Sequence, residues 1–268
     1  GQVRVIRPEK WPEPRDWIEA ELRGADMGDT RLTARLLQNT GQFYEKPTAN
    51  IPQACGSKHA AKAAYRFLDN ENVEWLGILK PHYAASEARI GEHRIVLAVQ
   101  DTTTLNYSTH SQTEGLGYIC DSKQARGLIV HDTMTFTTEG VPLGLLDLQC
   151  WARLEMGSKQ ERHNKPIEEK ESFKWLESYR AVSAVQNRCR KTMLVVIADR
   201  EADIHELFAD QVATRHGAQL LIRAESSRNR QVIGDDDGHE ALWPLLEQQA
   251  IIGERQLLVP PCEDRKAR

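Results

Sequence analysis

The chain is poor in the features that mark membrane-embedded, exported or disulfide-stapled proteins. No apolar run approaches the roughly 18 residues that a spanning helix needs. The first residues lack the basic stretch and apolar core of a secretion signal. The expectation is a soluble protein with no membrane partner. The chain starts Gly1-Gln2 without Met, which reads as a fragment boundary. Its five cysteines, Cys55, Cys120, Cys150, Cys189 and Cys262, are odd in number, scattered and free of any CxxC pair. That argues against a disulfide framework and a zinc site, and fits a reducing cytosol. A positive excess is missing too: 35 Lys and Arg against 39 Asp and Glu leave a net charge of −4. The global balance therefore gives no nucleic-acid signature.

What is present is an ordinary globular composition, 40% hydrophobic and 28% charged, in 268 residues. That length buries a sizeable core, in one large domain or two smaller ones. The charge is unevenly spread. Between residues 31 and 66, Arg31, Arg35, Lys46, Lys58, Lys62 and Arg66 face the single acid Glu45. Residues 14–40 read as two helices broken at Gly24-Ala25-Asp26, with Trp17, Ile18 and Leu22 on the first. Asp29 is placed to cap the second, which carries Leu32, Leu36 and Leu37. A further helix from Ser57 to Leu68 would bury Ala61, Ala64, Phe67 and Leu68 and leave Lys58, Lys62 and Arg66 one turn apart on its other side. Charges at this spacing form either a solvated helix face or a phosphate-binding one.

From residue 95 the pattern changes. Ile95-Val96-Leu97-Ala98-Val99 is an unbroken apolar run, as in a central strand covered on both faces, and leads to Asp101. Leu128–Phe136 and Pro142–Cys150 follow as strands around the turn-like Thr138-Glu139-Gly140. After the charged stretch Glu155–Glu171 comes a helix over residues 172–185. Met193-Leu194-Val195-Val196-Ile197-Ala198 then repeats the buried-strand pattern and ends at Asp199. A helix follows at once through about residue 213, then a fifth strand, Gln219–Ile222. The order β-β-β-α-β-α-β, with acids at the ends of strands one and four, is that of an RNase H-like α/β core with a mixed five-stranded sheet. Beyond Arg223 the chain turns polar, at Ser226–Arg230 and Asp235–Asp237, and no closing helix of such a core is found.

Two acids at strand ends admit two readings from the residues alone. Each is a turn former or helix cap, or the pair holds divalent ions for phosphodiester chemistry, since hard cations take carboxylates and Mg²⁺ keeps several waters. An aspartyl-phosphate phosphatase would need a second Asp two residues after the first, where Thr103 stands. A metal-dependent nuclease without end specificity also stays open.

The segment Ala198-Asp199-Arg200-Glu201-Ala202-Asp203-Ile204-His205 resembles the DREAD-type signature of bacterial cut-and-paste transposases of the IS-four family, Tn-five branch. Met27–Leu36, Ala64–Leu68 and Gln100–Leu105 resemble the same proteins in the same order, so the likeness covers roughly residues 15–225. It implies a helical end-binding domain over 1–88, an RNase H-like catalytic core over 89–224 and the start of a β-rich insertion domain over 225–268. It implies that Asp101 and Asp199 are the first two acids of an Asp-Asp-Glu triad, holding Mg²⁺ with Mn²⁺ as the alternative. The third acid would lie on a later Tyr-Arg-Glu helix. That motif is absent after Asp199, and Glu225, Glu240, Glu247 and Glu254 do not replace it, so an incomplete copy is expected. The implied partner is double-stranded DNA, as transposon ends and target, in a cytoplasmic, nucleoid-associated homodimer that excises through a hairpin. Arg31, Arg35, Lys58, Lys62, Arg66, Arg200 and Arg223 become the candidate DNA contacts. Glu201 and Asp203 read as acids favouring a helix start, and His205 as a surface histidine. The alternative is a non-catalytic DNA-binding remnant.

Overall fold

The computed structural model describes residues 14–110, 112–120, 124–153, 165–225, 231–233, 238–254 and 256. Most of the charged Glu155–Glu171 stretch, the segments Ser226–Arg230 and Asp235–Asp237, and Cys262 lie outside the described residues. The first helices are α1 (Pro14–Leu22), α2 (Thr30–Glu45), α3 (Ile51–Cys55) and α4 (Lys58–Leu68). Asp29 caps α2 through the amide of Arg31 at 2.8 Å. The apolar face then carries α2 on to Glu45, beyond the expected end at 40. Asn50 and Gln53 form a capping box on α3, which ends at Gly56 in the left-handed region (φ 70°). Ser57 then caps α4 through the amide of Ala60 at 3.1 Å. This tight α3–Gly56–α4 joint follows from glycine's tolerance of positive φ.

Ile18, Leu22, Ala25, Met27, Leu36 and Phe67 form one core of the helical part, and Cys55, Ala61 and Ala64 a second. The expectation for Leu68 fails: it is 52% exposed, being turned about a quarter of the helix circumference from Phe67. A fifth helix, α5 (Trp75–Ile90), is not among the sequence expectations. Pro81 in its interior and the lack of a one-sided apolar stripe hide it in the sequence. It docks on both α1 and the sheet. Glu21 of α1 accepts two bonds of 2.8 Å from Arg89, whose Nε donates to the Leu143 carbonyl at 2.6 Å. The amide of Leu145 donates to Nε2 of His82 at 2.9 Å, so Nδ1 carries the proton that His82 gives to Glu21. Burial pushes the Glu21 carboxyl up, but the bonds and charge of Arg89, with His82 adding, outweigh it and hold it below its ordinary value.

The sheet has six strands, against the five expected: β1 (Ile95–Asn106), β2 (Gly117–Tyr118), β3 (Arg126–Thr137), β4 (Pro142–Trp151), β5 (Met193–Ala198) and β6 (Gln219–Ile222). The order is β2-β3-β1-β5-β6, with β4 also on β3. The two-residue β2 is too short to give a periodic signal. β1 pairs antiparallel with β3 and parallel with β5, and β5 parallel with β6. α6 (Phe173–Arg188) makes the crossover from β4 to β5, and α7 (His205–Ala213) that from β5 to β6. β4 bulges where it meets α5. There Gly144 has φ 129°, and a Cβ would collide with the Ser86 hydroxyl. Among the described residues no helix is long and apolar enough to cross a membrane.

The alternation of burial decides which face is core. Val96, Ala98, Leu194, Val196 and Ala198 pack under Trp175, Leu176, Tyr179 and Val182 of α6, whereas Leu97, Val99, Val195 and Ile197 on the other face are half-buried. From Glu225 a second unit begins, with the hairpin β7 (Gln231–Ile233) and β8 (His239–Ala241) and the short α8 (Leu242–Glu247).

His131 of β3 is fully buried, edge-on to Trp175 at 4.6 Å, with Nδ1 2.9 Å from the Thr102 hydroxyl. Burial, then the charge of Lys174, lowers its pKa to about 3. An unfolded imidazole takes a proton near pH 6.5 while the folded one stays neutral. Stability from this group is therefore present above about 6.5 and lost as pH falls, at a limiting rate of about 1.4 kcal/mol per pH unit. Urea unfolding between pH 6.5 and 5 should show His131→Gln with a shallower decline than the native chain, by about that amount. Parallel declines would rule out His131 as the source.

Candidate functional site

Two places in the fold gather the chemistry-bearing side chains. The first is the outer surface of the α3–α4 joint. Pro52, Gln53, Gly56, Lys58, Lys62, Tyr65, Arg66 and Asp69 line a groove of about 860 Å³. Lys58, Lys62 and Arg66 are exposed, and none has an ion-pair partner among the described residues. Tyr65, 45% exposed beside them, adds an aromatic edge that charge counting passes over. Lys46, another member of the basic run, donates to the Gln53 carbonyl at 3.2 Å and helps hold α3 to α2. Arg31 and Arg35 differ from the α4 set in being engaged already. The Arg31 guanidinium bonds both oxygens of Asp29 at 2.7 to 3.1 Å, which holds the Asp29 carboxyl below its ordinary range. Arg35 donates to the Gln38 side chain at 2.8 Å.

The second place is one edge of the sheet. The parallel β1–β5 register runs from Ile95 opposite Met193 to Val99 opposite Ile197. The same offset carried two residues further brings Asp101, on the face away from α6, level with Asp199 just past the end of β5. Asp101 does not end its strand as expected. β1 runs on to Asn106 because β3 is longer than β5 and keeps pairing with it. Both acids are exposed, and in each one oxygen is tied to the backbone: Asp101 accepts from Thr102 N and Asp199 from Glu201 N, each at 2.8 Å. Asp199 is thus also a cap, of a 3₁₀ turn over Arg200–Ala202. The helix expected directly after it starts only at His205, since this turn intervenes.

The other residues of the signature are split by this turn. Asp203 is 2% exposed, Glu201 and His205 are exposed, and Glu201 lies 3.8 Å from Lys174. Lys174 of α6 has only a tenth of its side chain exposed and lies over the Trp151 and Trp175 rings. Burial lowers its pKa, opposed by the charges of Glu201, Glu171 and Asp199. A lysine beside a core tryptophan is the only sequence signal for it. Arg223 leaves β6 at the same edge, its amide donating to the Ala198 carbonyl at 3.1 Å. Arg200 is exposed in the turn itself.

A third carboxylate stands here that pattern reading misses. Asp132 of β3 is directly opposite Asp101. Its pKa is raised by burial first and then by the Asp101 charge. Among the described residues no group of three or more His, Cys, Asp or Glu side chains is arranged to hold a metal. Among the described residues, Asp101 and Asp199 each have a second carboxylate oxygen without a hydrogen-bond partner.

Residues 14–73, from α1 to beyond α4, match the family model of transposase DNA-binding domains. The match supports a transposase role and DNA as a partner, and it covers the basic groove on α4.

Like charges directly opposite across a strand pair are destabilising by up to about 1 kcal/mol. Asp132→Asn should accordingly raise the urea midpoint at pH 7 by an amount corresponding to about 0.5 kcal/mol. The gain should disappear as pH falls toward 3.8, the ordinary Asp value, because the Asp132 carboxyl, raised above that value in the fold, has lost its charge by then. An unchanged or lower midpoint at pH 7 would show that the two acids do not repel.

Proposed function

We propose that the chain is a DDE-type transposase similar to the IS-four family, Tn-five branch, binding transposon ends through its helical part and acting on DNA phosphodiesters at an RNase H-like sheet edge. What supports this is the combination, in one chain, of a transposase DNA-binding segment over residues 14–73 with two carboxylates brought level by the β1–β5 register. α4 faces the DNA: Lys58, Lys62 and Arg66 meet phosphates, Tyr65 lies beside them, and Arg31 and Arg35 contribute at the flank of α2. Asp101 and Asp199 hold the reactive edge, each oriented by its backbone bond, and Arg200 and Arg223 are positioned there for neighbouring phosphates. Mg²⁺, with Mn²⁺ as the alternative, would when bound by these acids acidify the attacking water or 3′-hydroxyl and offset charge on the leaving oxygen. Two copies would pair the two ends, in the cytoplasm at the nucleoid.

The lack of a three-ligand metal cluster among the described residues favours one other reading, a non-catalytic occupant of transposon ends. End cleavage in Mg²⁺ separates the two. Asp101→Ala or Asp199→Ala should lower metal-dependent nicking more than about 100-fold and leave end binding intact. Retained metal-dependent cleavage in either variant would refute the assignment, and end binding without any cleavage by the native protein would favour the occupant.

The interface on α4 has its own test. Replacing Lys58, Lys62 and Arg66 with Gln should reduce the slope of log affinity against log salt by about 0.9 for each phosphate no longer neutralised, hence by about two to three for end-containing duplex. An unchanged slope would move the DNA elsewhere.

A further inference from the structure

At the opposite ends of the parallel strands from Asp101 and Asp199 lies a second basic feature that neither the acid edge nor α4 uses. Three helix-to-strand loops converge there, those leading into β1, β5 and β6, and enclose a cleft of about 930 Å³. Arg94, Arg190, Lys191 and His216 line it, with the amides of Asn187 and Gln219, and among the described residues no carboxylate does. All four basic side chains are exposed. None of them has an acidic partner among the described residues. Glu87, near the end of α5, is taken up by Arg188 at 2.7 Å. In a chain of net charge −4, such an acid-free cleft is a local reversal of sign.

The bland account is that cations gather at the C-terminus of α6, where the helix dipole favours them. It covers Arg190, whose Nε donates to the Asn187 carbonyl at 3.3 Å, and Lys191. It does not cover Arg94, which precedes β1, or His216, which follows α7 and is held in the left-handed region at φ 62°. Their convergence needs the fold, not one helix end. A small-molecule pocket is disfavoured by position, because open α/β sheets bind such ligands at the carboxyl ends of their strands. An open, cationic cleft with amide donors fits a repeating anion, the phosphate backbone of duplex DNA. Six residues of strand separate Met193 from Asp199, roughly 20 Å at about 3.3 Å per residue. We propose that this cleft binds the backbone of a DNA duplex, without base readout, at a position separate from the acid edge and from α4.

The test uses the full chain with Arg94→Gln, Arg190→Gln and Lys191→Gln combined, in the native background and in one where Lys58, Lys62 and Arg66 are also Gln. A sequence-random duplex a few helical turns long is titrated by fluorescence anisotropy across a salt series. The expected result is a slope reduced by about two to three in both backgrounds, with the urea midpoint unchanged because the replaced side chains are exposed. An unchanged slope in both backgrounds overturns the proposal. So does calorimetric binding of inorganic phosphate that the triple variant loses while its duplex slope stays native, which would make the cleft a small-anion site. Should the triple variant fold poorly, acetylation of Lys191 in the native chain decides. Protection by the random duplex supports the proposal, and none overturns it. Loss of end-specific binding on neutralising α4 tests the earlier reading alone and leaves this one standing.

Discussion

The alignment of Asp101 with Asp199 and Asp132 depends on the position of β1 at the centre of the sheet, antiparallel to β3 on one side and parallel to β5 on the other. The side-chain period of a strand is two, so a slip of one residue in either pairing would send Asp101 to the α6 face. The register is held by burial: Val96 and Ala98 must sit with Leu194 and Val196 under Trp175 and Tyr179. That packing places Asp101 on the outer face, level with Asp199 and opposite Asp132. The acid edge is a by-product of a hydrophobic constraint on the other side of the same strands.

The two ends of the same strands differ: one mixes acids with Lys174, Arg200 and Arg223, and the other is lined by basic side chains. Carboxylates collect where β5 stops, and the cations of the second cleft collect where β1, β5 and β6 begin. Between the helical part and the sheet, the Glu21–Arg89–His82 network does for polar groups what the core does for apolar ones. Each member has its partners, and the two main-chain bonds to Leu143 and Leu145 tie α5 to β4 at the bulge that Gly144 permits. A basic groove on α4 can therefore stand in a chain of net charge −4, because Lys58, Lys62 and Arg66 have no ion-pair partner among the described residues.

Legibility follows the strength of local signals. Asp29, Ser57 and the apolar runs 95–99 and 193–198 announce their elements, since caps and buried strands are written in a few adjacent residues. α5 is invisible in the sequence because it packs on two sides, with α1 and with β4, and so leaves no single apolar stripe. Leu68 defeats the pattern because a helical stripe read from spacing alone does not say where the partner surface ends. Asp132 escapes notice because an acid inside a strand has no motif of its own. Its proximity to Asp101 exists only through pairing across a hairpin.

By itself the sequence determined the order of the longer strands and of the helices other than α3 and α5, the basic stripe of α4 and the two acids that follow apolar runs, all of them consequences of periodicity within a few turns or residues. Only the tertiary structure decided that Asp101 and Asp199 stand level, that Asp132 joins them, and that Arg94, Arg190, Lys191 and His216 share one cleft. These residues lie far apart along the chain, and which of them meet is set by strand register and loop convergence, which depend on how the whole hydrophobic core packs rather than on any local run of residues.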